Sequence, residues 1–68
     1  MDVGHRLARN MKALRKAKGW SQEELGDRAA GMHRTYISQL ERVIKTPSII
    51  AVDRIALALG VSNGELLD

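Results

Sequence analysis

Apolar residues recur along this chain with helical spacing, and no segment shows the strict alternation of a half-buried strand. Leu7, Met11 and Leu14 stand at i, i+4 and i+7 and mark one face of a first helix, predicted over residues 3–18. Gly19 ends it. Ser21 caps a second helix, with Glu24 three residues on as its capping-box partner. Leu25 and Ala29 face inward from that helix, and Gly31 breaks it. A third helix is predicted over residues 34–42, with Ile37, Leu40 and Tyr36 toward the core. A fourth starts at Pro47 or Ser48, because proline suits a first helical turn. Ile49, Val52, Ile55, Ala56 and Leu59 form its core stripe, and Gly60 stops it. Ser62 and Glu65 make a second capping box that opens a short last helix carrying Leu66 and Leu67. The core is aliphatic, with Trp20 as its large aromatic plug. The expected fold is all-α, a compact bundle of five short helices.

Composition narrows the class. Sixty-eight residues allow one domain over residues 1–68 and only a thin core, which favours an oligomer. There is no cysteine, so no disulfide and no thiolate metal site is available. No apolar run approaches the roughly 20 residues that span a bilayer, and no signal-peptide pattern follows the N-terminus. A cytoplasmic protein with no membrane partner is expected. The formal net charge is +3, and the sequence pI is about 9.8. Residues 1–46 hold ten Lys and Arg against five Asp and Glu, and residues 47–68 hold one arginine against three acids. The basic character therefore belongs to the first two-thirds, the distribution expected of a nucleic-acid footprint.

The two short helices between Ser21 and Arg42 flank a tight turn at Gly31, which outlines a helix-turn-helix core at about residues 21–42. Its second helix, about residues 33–42, exposes His33, Arg34, Thr35, Ser38 and Gln39. Arginine pairs with guanine, glutamine with adenine, and hydroxyls with bases or phosphates. Gln22 opens the second helix, where backbone N–H groups and the positive dipole end favour a phosphate. Catalytic patterns are lacking. His5 and His33 lie on different elements, Ser38 has no nucleophile-elbow context, and there is no metal-ligand spacing or phosphate-cradling glycine loop. No enzyme activity, metal, cofactor or small-molecule ligand is expected.

The strings WSQEELGDRA (residues 20–29) and HRTYISQLER (33–42), followed by TPS (46–48) and IALALGV (55–61), resemble the lambdoid phage repressor and Cro-like (XRE) family. The resemblance covers almost the whole chain. The stretch 33–38 looks especially like the controller proteins of restriction–modification systems. The resemblance implies a bacterial or phage transcriptional regulator that binds double-stranded DNA. By position it gives Arg34, Thr35 and Gln39 to bases, and His33, Tyr36 and Ser38 to the groove edge. Arg42, Lys45 and Thr46 fall to the backbone, and Gln22 to a phosphate while it buttresses the recognition helix. It also implies a structural ion pair between Arg15 and Glu41. Gly26 takes a small-residue position where two helices approach closely.

Two departures from the family pattern are visible. One extra residue lies between Leu25 and Ile37, in the segment of Ala29, Ala30 and Gly31, so the second helix lengthens or the turn bulges. Val43 stands where the family has glycine after the recognition helix. A β-branched residue disfavours positive φ, so this helix is expected to end differently.

A second class of function is a protein-interaction module on the same fold. Ile50 and Leu57 lie one heptad apart, away from the core stripe of the fourth helix, with Val43 and Ile44 adding apolar surface nearby. The simplest use is a homodimer with two-fold symmetry, placing two recognition helices about 34 Å apart. A different protein on the same surface would make the chain an antitoxin-like or adaptor subunit.

Overall fold

A computed structural model describes residues 2–68, and among them five helices and no strand are formed. They are α1 (Val3–Ala17), α2 (Gln22–Arg28), α3 (Arg34–Glu41), α4 (Ile49–Leu59) and α5 (Asn63–Leu67). A side chain caps each start. Asp2 accepts from the His5 amide, Ser21 from Glu24, His33 from Thr35, Ser48 from Ala51 and Ser62 from Glu65. Such caps satisfy amides that have no partner within the helix.

Only one of the two expected capping boxes closes. Glu65 returns a bond to the Ser62 amide at 3.0 Å. Glu24 instead reaches forward to Arg28 at 2.7 Å, an i, i+4 ion pair along α2. Amide donation at these caps holds the carboxyls of Asp2 and Glu65 below their ordinary values. The stability they contribute is present above the ordinary carboxylate range and is lost as pH falls through the lowered values.

α1 packs on α3 and α5, and α2 packs on α3 and α4. Leu7, Met11, Leu25, Ile37, Leu40, Ile55 and Leu66 fill the space between them. Trp20 and Tyr36 are half-buried and pack against the margin of this cluster. Two cations lie over the Trp20 ring, Arg28 at 4.4 Å and Lys18 at 5.1 Å from its centroid. Three side chains of α1 tie down the end of α5. Asn10 Nδ2 donates to the Leu66 carbonyl at 2.9 Å, Arg6 Nε to Leu67 at 3.0 Å and Arg9 Nη2 to Asp68 at 3.3 Å.

The fourth helix differs from expectation at its start. Pro47 precedes the Ser48 cap instead of opening the helix. Ile49 leaves the core stripe: it is 83% exposed, and Ala51 is buried in its stead. At 3.6 residues per turn the buried positions 51, 52, 55, 56 and 59 share one face, and Ile49 lies on its flank. Similarly, α1 ends at Ala17 with Lys18 as its cap, and α3 ends at Glu41 with Arg42 as its cap.

Candidate nucleic-acid interface

The turn between α2 and α3 absorbs its extra residue by bulging. α2 stops at Arg28, and Ala29 donates to the Leu25 carbonyl at 2.9 Å. Ala30 and Gly31 then both take left-handed backbone, at φ 62° and 76°. The chain returns through the Met32 amide, which donates to the Gly26 carbonyl at 2.8 Å. Gly26 permits that return: a Cβ there would sit on the Met32 carbonyl oxygen and lie 3.6 Å from Ile37 Cγ1. His33 then caps α3 through Nδ1, which accepts from the Thr35 amide at 3.0 Å.

α3 ends by the left-handed turn that a glycine would make, although the residue is Val43 at φ 58°. The Val43 amide donates to Leu40 at 3.1 Å and the Ile44 amide to Gln39 at 2.8 Å. These two bonds form a Schellman motif. The expectation that valine would force another ending is therefore corrected: backbone hydrogen bonds outweigh local preference. Val43 also lies over Gly4 of α1, where a Cβ would come within 3.4 Å of Val43 Cγ1. Left-handed backbone costs an L-residue about 1–2 kcal/mol, and glycine regains part of this at an entropic cost. Val43→Gly is expected to stabilise the fold by about 1 kcal/mol, which raises Tm by about 4–8 °C in a domain of this size. A lowered Tm in a thermal melt would instead make contact with α1 the larger contribution.

A buried network ties α3 to α1 and to the start of α2. Arg15 donates through Nε to Glu41 Oε2 at 2.8 Å and through Nη2 to Oε1 at 3.0 Å. Its Nη1 donates to the Trp20 carbonyl at 2.8 Å. Gln22 Nε2 also donates to Glu41 Oε1, at 3.2 Å. The Glu41 hydrogen bond holds the Arg15 guanidinium above its ordinary pKa. Among the described residues no buried side-chain polar atom is left without a partner.

On the outer side of this network the structure brings together six of the expected contact residues. Gln22, Arg34, Thr35, Ser38, Gln39 and Arg42 line one shallow concavity of about 290 Å³, and Ile44 completes its wall. His33 stands at the head of α3 as its cap, and Tyr36 turns toward the core margin. Lys45 and Thr46 lie farther along, on a neighbouring apolar groove of about 590 Å³ that Ile44 also borders, with Val3, Val43, Ile49 and Leu67. Ile50 and Leu57 face outward on α4, 64% and 80% exposed. The place of Ile44 beside the contact residues is not legible in the sequence, because the predicted helix stops at residue 42. Among the described residues no three His, Cys, Asp or Glu side chains cluster as metal ligands. No helix there is long and apolar enough to cross a membrane.

Residues 11–66 match a helix-turn-helix family model, which spans all of the network and the concavity. The chain belongs to the HTH_3 helix-turn-helix family. This HTH_3 chain is similar to a hypothetical transcription factor of Neisseria meningitidis serogroup B, at 46% identity over 66 residues. It spans 61% of that protein's length, and the match covers 97% of the chain itself. The crystal structure of a hypothetical transcription factor from Neisseria superposes with a TM-score of 0.93 at 42% identity, over 98% of this chain and 76% of that one. The restriction–modification controller protein C.AhdI from Aeromonas hydrophila superposes with a TM-score of 0.86 at 32% identity, over 93% of this chain and 94% of that one.

Proposed function

We propose that residues 1–68 act as one sequence-specific binder of double-stranded DNA, a small transcriptional regulator that lays α3 in the major groove. The observation that carries this reading is the concavity in which Gln22 of α2 meets the outer face of α3. Membership of the helix-turn-helix family supports it. Arg34, Thr35 and Gln39 read base edges, since guanidinium, hydroxyl and carboxamide groups match the donors and acceptors of the major groove. His33, Tyr36 and Ser38 border the groove. Gln22, Arg42, Lys45 and Thr46 hold the backbone, with Gln22 pre-positioned by its bond to Glu41. The chain works in the cytoplasm as a homodimer, with Ile50 and Leu57 as the self-complementary apolar contact. Pairing of like subunits sets two recognition helices about one DNA turn apart, roughly 34 Å.

Binding measured against salt tests the reading. Affinity is expected to fall with a log–log slope of about −0.9 per neutralised phosphate. Arg34→Ala is expected to lose about 1–3 kcal/mol at one guanine per half-site and to relax preference there. Lys45→Ala is expected to weaken all duplexes alike. A salt-independent affinity, or an Arg34→Ala loss equal on every sequence, would contradict these assignments.

A further inference from the structure

We infer that Ile44 is a specificity-determining residue whose side chain receives the 5-methyl group of a thymine in the bound site, an inference that rests on the DNA-binding reading above. Ile44 is 56% exposed, yet it is the apolar member of the wall it shares with Gln39 and Arg42. Its position is fixed from the backbone. The Ile44 amide donates to the carbonyl of Gln39 at 2.8 Å, and Val43 at φ 58° turns the chain back alongside the end of α3. Ile44 is therefore tied to the end of the recognition helix by that turn.

The neighbours select the ligand chemistry. Arg42 stands two residues before Ile44 and Lys45 directly after it, and both are cations suited to phosphates. Of the two aliphatic residues between them, Ile44 is the one on the concavity, and its side chain gains nothing from phosphate oxygens. Along the major groove the apolar feature that distinguishes one base from another is the thymine methyl. Gln39 on the same wall is a base reader in the proposed function, which sets Ile44 beside a base edge instead of out along the sugars.

The test uses the duplex that the parent chain selects from a random pool. Each thymine of one half-site is replaced in turn by deoxyuridine, which removes the methyl and leaves base pairing intact. One replacement is expected to weaken the parent chain about fourfold, the worth of one buried methyl-sized group. Ile44→Ala is expected to bind the thymine duplex at least that much more weakly and to be indifferent to deoxyuridine at that position. Ile44→Val keeps branched apolar surface and is expected to retain part of the discrimination. Equal deoxyuridine penalties for the parent and Ile44→Ala at every position would overturn the inference while leaving DNA binding intact. If the parent chain selects no duplex at all, both the inference and the function it rests on fall.

Discussion

Gly26→Ala is expected to cost the fold about 2–4 kcal/mol and to abolish tight DNA binding. The added methyl would meet the Met32 carbonyl oxygen, with Met32 C at 3.2 Å and Ile37 Cγ1 at 3.6 Å. Neither the backbone nor the core side chain can yield freely. The Met32 amide is held to Gly26 at 2.8 Å, and Ile37 is fully buried. Overpacking a tight site costs about 1–3 kcal/mol and occasionally more; here the obstacle is backbone, which favours the upper end. A small domain has little stability to spare. Relief of the clash would push the turn and α3 away from α2, so Gln22 and Arg34 would no longer share one concavity. Urea denaturation should show a lower midpoint with an unchanged slope. A midpoint equal to that of the parent would mean that the turn does not return over Gly26 as described.

Glu41→Ala is expected to destabilise by about 3–5 kcal/mol, because it strands a buried guanidinium. Arg15 would lose both bonds to the carboxylate and retain only the Trp20 carbonyl. Gln22 would lose its tether as well, so duplex affinity should drop beyond what the folded fraction explains. The double variant Arg15→Met with Glu41→Leu is expected to regain much of the lost stability, since replacing a buried pair by apolar groups is often neutral. The two single losses should then be strongly non-additive in a double-mutant cycle. Simple additivity would show that the pair is not coupled.

The sequence is most informative where one local device decides the structure. Ser21, Ser48 and Ser62 each sit just ahead of an apolar-periodic run, and each is a cap. The stripe from Val52 to Leu59 is buried as its spacing demands. Ile49 departs from its expected place because periodicity assigns a face but does not say how far a neighbouring helix extends to cover it. The extra residue before α3 was visible as a length, whereas its absorption by left-handed Ala30 and Gly31 depends on the Met32–Gly26 bond. Val43 shows the same limit. Its side-chain preference argued against the left-handed turn, and two tertiary-independent backbone bonds at the helix end overruled it. The placement of Ile44 follows from that turn and was hidden for the same reason. Arg15 and Glu41 lie 26 residues apart, beyond any periodicity, so only the family resemblance pairs them in the sequence. The base-reading assignments rest on side-chain chemistry and on a shared surface, so their test lies with DNA.

Selection of bound duplexes from a random pool, at a stated salt concentration, is the direct measure of whether α3 reads DNA sequence. Enrichment of one near-palindromic site with half-sites about one helical turn apart is expected, with loss of preference at one guanine per half-site when Arg34→Ala replaces the parent chain. Recovery of unenriched sequences, or of a site whose preferences are unchanged by Arg34→Ala, would contradict it.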